Sequence, residues 1–242
     1  MKNFLTAFIV ISGITFFTAC KKDNSALAPQ SEKLATQKVK QPSAPTRVKT
    51  EFSSFGTKAY TYNADFNSLG YTATNSTVYT YPDALHIIET PSTGYEIHYD
   101  LNKKGLIEKA TTPYSTQYFT YNSKKQLTEI LSAGNSGDVF VLKYVYNSSG
   151  NLDTLTSISN GKVSVFTTYT YYEDQPNVMD NDVIGEGFRG VSSKNLLKTS
   201  VMHDGSLFIT DFSYAFDPFG RVIKVSSTVN GTVQPYFVYT YY

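Results

Sequence analysis

A tyrosine-rich repeat of about 25 residues is the feature that most constrains the fold of this chain. Aromatic anchors recur with gaps of 22, 25, 25, 45 and 25 residues, at Tyr99, Tyr121, Tyr146, Tyr171, Phe216 and Tyr241. Between the anchors, side chains of contrasting polarity alternate with a period of two, as in residues 163–172, and this is the periodicity of a β-strand. Each repeat therefore predicts two strands, and the gap of 45 predicts an insertion.

Two kinds of turn alternate along the repeat. The first comprises Asn160-Gly161, Asp204-Gly205 and Asn230-Gly231, dipeptides that favour the positive φ angles of a type I′ hairpin. The second follows an aromatic anchor, as in residues 146–152 (Tyr-Asn-Ser-Ser-Gly-Asn-Leu). There the Asn or Asp caps its own turn and the Gly takes a left-handed position. Residues 121–127 form a weaker copy that has no glycine. We therefore expect an all-β antiparallel meander of repeated hairpins, with about twelve to fifteen strands, as an open curved sheet or a closed barrel.

The first twenty residues have the pattern of an export signal. Lys2 supplies a positive charge, residues 4–17 are apolar, and Thr18 and Ala19 precede Cys20. The apolar stretch is too short for a membrane-spanning helix. These residues resemble the lipobox of bacterial lipoproteins, which implies cleavage before Cys20 and lipidation of its thiol. The alternative is an ordinary secretory signal that is followed by an incidental cysteine.

Composition divides the chain into three parts. Residues 1–19 are the predicted signal peptide, residues 20–50 the lipidated cysteine with a disordered tether rich in Lys, Gln, Ser and Pro, and residues 51–242 a single β domain. Cys20 is the only cysteine, so a disulfide within the chain is excluded. Without residues 1–19 the chain has 20 basic and 20 acidic residues, and this balance argues against a nucleic-acid partner.

The repeat resembles the YD-repeat pattern of bacterial cell-surface proteins, and the match covers roughly residues 95–242. It is also similar to uncharacterised exported lipoproteins that have a lysine pair after the lipidated cysteine, here Lys21-Lys22, and a tyrosine-rich repeat body. In that group an insertion containing Asp, Pro and Asn often follows one repeat, as residues 173–177 do here. The resemblance implies a β-meander and no known activity. Lys21 further implies sorting to the outer membrane.

The insertion is the predicted functional surface, because long loops on rigid sheets often carry binding residues. Its candidate binding residues are Asp174, Asp180, Asp182, Glu186, Phe188 and Arg189. Clustered carboxylates can bind calcium, but their spacing does not match an EF-hand, and a solvated loop is the simpler interpretation. We therefore predict no metal and no cofactor.

The chain is predicted not to be an enzyme. His98 and Asp100 share one strand face, but the sequence supplies no third group for metal binding or acid–base catalysis. The common nucleophile, phosphate-loop and dinucleotide motifs are missing. The tyrosines can serve as a platform for sugar rings or as cross-strand pairs that hold the sheet together, and we favour the second role.

A membrane-spanning barrel is a weak interpretation of the aromatic strand at residues 237–242. A lipid anchor would be redundant in such a barrel, and residues 152–158 lack an apolar face for lipid. The sequence therefore predicts a lipid-anchored, non-catalytic module of the outer membrane, periplasmic or surface-exposed, that binds a glycan or a protein. The alternatives are an envelope-assembly or lipid-carrier factor with a β-cavity and, less favoured, a hydrolase that uses His98 and Asp100.

Overall fold

The computed structural model describes residues 47–54, 56–65, 67–73 and 75–242. The expected signal peptide, Cys20 and nearly all of the tether lie outside the described residues. The described part of the chain is almost entirely β-structure, with two single-turn 3₁₀ helices at Asn181–Ile184 and Gly187–Arg189. The all-β prediction is therefore confirmed.

The strands follow one another along the chain as an up-and-down meander. Their bounds are β1 Val48–Ser53, β2 Gly56–Tyr62, β3 Ser68–Thr72, β4 Thr77–Asp83, β5 His86–Pro91, β6 Ile97–Leu101, β7 Ile107–Thr111, β8 Ser115–Tyr121, β9 Leu127–Gly134, β10 Val139–Tyr146, β11 Leu152–Ser159, β12 Lys162–Pro176, β13 Asn195–His203, β14 Leu207–Phe216, β15 Val222–Val229, β16 Thr232–Val233 and β17 Phe237–Tyr241.

The sheet closes into a barrel of 16 strand positions. From β1 to β16 each strand pairs antiparallel with the next, and β17 completes the ring by pairing with β1. The short β16 and β17 both pair with β15 and share one position. The structure thus selects the closed barrel from the two predicted arrangements. The strand number exceeds the prediction because β1 to β5 lie where the sequence repeat is least regular.

The two kinds of turn lie at opposite ends of the barrel, as alternation in a meander requires. At the asparagine end, the side-chain Oδ1 atoms of Asn102, Asn122 and Asp217 each accept hydrogen bonds from backbone N–H groups two and four residues later. At the hairpin end, Asn160 and Asn230 have φ angles of 47° and 48°, as type I′ turns need.

Side chains alternate between the inside and the outside of the barrel. One row of successive register partners faces inward on the five strands β10 to β14. It comprises Tyr144, Leu155, Thr167, Met202 and Phe208. The outward positions beside this row are occupied by valine, threonine and scattered charged residues. Aromatic and aliphatic side chains therefore concentrate inside.

A cluster of buried hydrophobic side chains lies on one side of the interior. It comprises inward residues of β4 to β7 that pack around a side chain from the segment between β12 and β13, namely Tyr79, Ile87, Tyr99, Ile107 and Ala110 around Phe188. Tyr81, Ile97, Leu101 and Phe119 pack against this cluster. The segment between β12 and β13 is thus part of the core and not a solvated loop.

Candidate functional site

Residues 177–194, here called the inserted segment, replace one turn at the asparagine end. Their contacts extend around the ring. The backbone N–H of Ser68 donates to the Gly185 carbonyl at 2.9 Å, and that of Val191 donates to the Lys125 carbonyl at 3.0 Å. On the far side, the Tyr241 hydroxyl lies 3.4 Å from the Met179 sulfur. Because the partners lie on β3, on β17 and beside β8, the inserted segment forms a floor inside this end of the barrel.

A buried ionic group fastens the floor to the wall, and we call it the arginine cluster. It comprises Arg189, Glu186, Glu89, Tyr79 and Tyr99. The Arg189 guanidinium donates to Glu186 Oε2 at 2.6 Å and to Glu89 Oε2 at 3.3 Å. The Tyr99 hydroxyl donates to Glu89 at 2.7 Å, and the Tyr79 hydroxyl to Glu186 at 3.1 Å. Two carboxylates thus share one cation and two hydroxyl donors.

Burial has opposite consequences for the tyrosines and the arginine of this cluster. Burial raises the pKa of Tyr79 and of Tyr99 far above the ordinary value, although the nearby guanidinium opposes the change. Burial alone would lower the pKa of Arg189, but Tyr79 and the two carboxylates raise it well above normal. At every physiological pH the arginine is therefore charged and the tyrosines are neutral donors.

Phe188 and Arg189 act together against the wall. The Phe188 ring meets Tyr79 edge-on with centroids 5.8 Å apart and lies 6.3 Å from Tyr99. The Arg189 guanidinium lies 5.3 Å from the centre of the Phe188 ring. Such cation–π and aromatic contacts each contribute about 0.5–1.5 kcal/mol.

The candidate residues from the sequence divide into two groups. Glu186, Phe188 and Arg189 meet inside the barrel. Asp180 shapes the inserted segment, because its Oδ1 accepts from the Asn181 N–H at 2.7 Å and from the Ser192 hydroxyl at 2.7 Å. Asp182 is 76% exposed and lies 3.7 Å from Arg47, and Asp174 is exposed near the end of β12. In the described part of the chain, no cluster of three or more His, Cys, Asp or Glu side chains could hold a metal ion.

Sequence reasoning missed the wall partners of this cluster, Tyr79, Glu89 and Tyr99. Glu89 offered a usable signal. It shares a strand face with Ile87, and a carboxylate on a buried face needs a cationic partner. That partner, Arg189, follows 100 residues later, so only the closure of the barrel reveals the pair.

The opposite side of the interior is much less covered. Twelve inward side chains of β10 to β15 and β17 are uncharged and half-buried, and we call these twelve the free wall: Phe140, Leu142, Tyr144, Leu155, Tyr169, Met202, Phe208, Phe212, Tyr214, Val225, Phe237 and Tyr239. Between them, the inward Ser157, Thr167, Thr210 and Val222 are buried. Barrels of roughly 16–18 strands enclose more space than their own side chains fill. Solvent-accessible space therefore lies in front of the free wall.

One ionic pair faces the interior beside the free wall. Lys58 Nζ lies 3.0 Å from Glu51 Oε1 and 5.2 Å from the centre of the Tyr71 ring. Register places Glu51 opposite Lys58 on β2 and opposite Tyr239 on β17, so the pair faces inward at the junction where the barrel closes. The charge of Lys58 is thus balanced by the Glu51 carboxylate within the wall.

The outer face of the barrel carries charges in the middle of several strands. Glu129 and Lys143 are register partners, and Lys109 lies 3.6 Å from Asp100. Charged side chains on a lipid-facing strand cost roughly 2–4 kcal/mol each at the bilayer midplane. This face therefore suits water better than hydrocarbon. Among the described residues, no helix is long and apolar enough to span a membrane.

The exposed histidines also lie on this outer face. His98 and Asp100 do share a face of β6, but His98 lies 3.4 Å from Glu96, whereas Asp100 lies 3.7 Å from His86. The His86 ring in turn lies 2.8 Å from Asp83. Each imidazole is about half exposed, so these are surface contacts between imidazole and carboxylate groups.

Two solved structures resemble the barrel over nearly their whole length. A porin-like protein from Bacteroides uniformis ATCC 8492 aligns with a TM-score of 0.65 at 19% identity, over 83% of this chain and 99% of its own. A porin-like protein from Bacteroides vulgatus ATCC 8482 aligns with a TM-score of 0.60 at 15% identity, over 81% and 99%. At these identities the likeness shows the fold alone. No family model and no curated sequence matches the chain.

Proposed function

We propose that this chain is a lipid-anchored, non-catalytic protein of the bacterial cell envelope that binds its ligand inside the barrel. The observation that carries the proposal is the uncharged, half-buried free wall in a closed barrel with a floor at one end. Half-buried aromatic side chains that face enclosed space are the usual lining of a ligand site.

The envelope location has two supports. The resemblance of residues 18–22 to a lipobox and its following lysine pair implies an anchor at Cys20 and the outer membrane. The porin-like neighbours have the same barrel fold. The charged outer face favours a barrel that is held beside the membrane by its anchor, in the periplasm or at the cell surface.

The arrangement of reactive groups supports the proposal that the protein is non-catalytic. The carboxylates of the arginine cluster are paired with a guanidinium and hydroxyl donors. The histidines lie on the opposite face of the sheet, where His86 and His98 contact exposed carboxylates. A general base needs a substrate proton within hydrogen-bond reach, and neither group borders the space before the free wall.

Metabolic labelling with an alkyne analogue of palmitate tests the anchor. We expect the wild-type chain to be labelled and to fractionate with the outer membrane. The Cys20→Ala variant should be unlabelled and should be found in the soluble fraction, while Ala19→Ser, a change to another small residue, should be labelled like the wild type. Equal labelling of wild type and Cys20→Ala would contradict the anchor.

Protease treatment of intact cells then separates the two envelope roles. Loss of the barrel in intact cells favours a surface binder of glycan or protein. Protection until the outer membrane is breached favours the second candidate, an assembly or lipid-carrier factor, which the enclosed free wall also supports.

A further inference from the structure

We propose that the free wall binds an uncharged, apolar chain, such as the acyl chain of a neutral lipid, which enters from the hairpin end. This inference rests on the proposed function, because it names the ligand class of the interior. Its grounds are the enclosed space, the pairing of inward charges, the apolar composition of the free wall and the position of the floor.

The space lies on one side of the interior. On the β4 to β7 side, Phe188 and the arginine cluster cover the wall, and Tyr79 and Tyr99 are only 3% and 4% exposed. On the free wall, Phe212, Tyr214 and Phe237 stay half-buried although the barrel is closed around them. An elongated ligand therefore fits alongside the free wall without displacing the floor.

The inward charges argue for an uncharged ligand. Lys58 is paired with Glu51, and Arg189 is paired with Glu186 and Glu89. These groups together carry more carboxylates than cations, so an anionic headgroup would be repelled. A cationic ligand would have to move from water to a surface of aromatic and aliphatic side chains. This transfer is unfavourable because the charge would be buried without a partner.

The composition of the free wall argues for an apolar ligand over a sugar. Eight of its twelve side chains are phenylalanine, leucine, methionine or valine, which have no hydroxyl or amide group. Of its four tyrosines, Tyr214 donates its hydroxyl to the Leu197 carbonyl at 2.9 Å. The free wall therefore presents mainly apolar surface to the interior. A sugar requires several polar partners in a site, whereas an acyl chain requires apolar contact.

The floor determines the direction of access. The inserted segment occupies the asparagine end and bonds to β3, β17 and the turn after β8. At the hairpin end, the loop hydrogen bonds join neighbouring hairpins, as between Asn160 and Val139 and between Asn230 and Ile209. A ligand can therefore pass the hairpin end without breaking the contacts that hold the floor.

The chain contains no tryptophan, so one introduced tryptophan is an unambiguous reporter. We would make Phe212→Trp on the free wall and, as a matched control, Phe166→Trp on the outer face, both in the full chain carrying Cys20→Ser. The second change removes the lipid attachment site, so the result does not depend on the anchor. Far-UV circular dichroism would verify the fold, and Phe208→Trp, also on the free wall, would replace Phe212→Trp if that variant were unfolded.

The probe is 1-(9,10-dibromostearoyl)glycerol, whose bromines quench tryptophan at short range. We expect saturable quenching at Phe212→Trp and little at Phe166→Trp, and weaker quenching by dibromostearate, the anionic analogue. Equal quenching at the two positions would overturn the proposal. The proposal would also be overturned if maltohexaose, but not the glyceride, changed the emission of the Phe212→Trp variant. In that case the interior would still be the binding site, but its ligand would be a sugar. No response to any probe would count against both this inference and a binding role for the interior.

An adjacent pair of substitutions on β13 provides a second test. Met202 faces inward and Val201 faces outward, and both are half-buried. Met202→Glu should weaken glyceride quenching of Phe212→Trp by roughly tenfold or more, because it introduces a charge into the wall. Val201→Glu should leave the quenching unchanged, and equal effects of the two changes would overturn the proposal.

Discussion

Arg189 is the residue whose surroundings differ most from its sequence context. In the sequence it lies in a glycine-rich loop with three acidic residues, which suggests a solvated surface. In the barrel its guanidinium bonds two carboxylates and the Tyr79 hydroxyl, and its neighbour Phe188 is 7% exposed. A buried ion pair adds little over an apolar replacement, but removing one partner leaves the others unpaired.

Arg189→Met should therefore destabilise the barrel by about 3 kcal/mol, because it leaves Glu89 and Glu186 buried without their cation. Urea unfolding followed by tyrosine fluorescence measures this change. Lys143→Met on the exposed outer face is the matched control and should cost about 1 kcal/mol or less. Adding Glu89→Gln and Glu186→Gln to Arg189→Met should restore part of the loss, and no difference between the two single variants would argue against the role of the cluster.

At the scale of strands and turns, the sequence was informative wherever a turn depended on a few adjacent residues. The Asn-Gly pairs at Asn160 and Asn230 form the expected turns with two positive φ angles. Asp204-Gly205 does not, because only Gly205 has a positive φ, at 95°, and the loop includes Ser206. The strands near residues 48–91 were harder to predict because their spacing departs from the repeat.

The degenerate turn at residues 122–126 allows a test at this scale. Lys125 has a φ of 64°, a left-handed conformation that glycine adopts at Gly105, Gly150 and Gly220 in the equivalent turns. In this conformation a residue with a Cβ is sterically strained by roughly 1–2 kcal/mol. Glycine avoids this strain but loses roughly 0.5–1 kcal/mol in conformational entropy on folding. Lys125→Gly should therefore stabilise the barrel by about 0.5–1 kcal/mol in urea unfolding.

Lys124→Gly is the control for this prediction, because Lys124 lies in the same turn without a positive φ. It should destabilise the barrel by up to about 1 kcal/mol. If both glycine variants shifted the urea midpoint in the same direction, strain at Lys125 would not be the cause.

At the scale of the whole molecule, the inserted segment divides the interior into a packed side and an open side. Its Phe188 completes the core on β4 to β7, whereas most inward side chains of β13 to β15 are half-buried. The ring itself is closed independently, by the pairing of β1 with β17. The floor and the ring are thus separate sources of stability.

Replacing residues 177–194 with the turn sequence of residues 147–151 should keep the barrel and remove the floor. Amide hydrogen exchange should become faster in β4 to β7, which lose Phe188 and Arg189, and should change little in the middle of β14 and β15. The Asp182→Asn variant is the matched control, because it keeps residues 177–194 and changes only an exposed carboxylate. Its amide hydrogens should exchange like those of the wild type. Uniform acceleration over all strands would mean that floor and ring unfold as one unit.

The sequence by itself determined the strand content, the antiparallel meander and the two classes of turn, because these depend on period-two alternation and on residues a few positions apart. It also singled out Glu186, Phe188 and Arg189, but not their surroundings. Only the tertiary structure decided that the sheet closes, that the insertion folds inward and that Glu89 meets Arg189. Closure depends on the pairing register of every strand around the ring, which no local stretch of sequence determines. It also brings together residues that are separated by 100 or more positions.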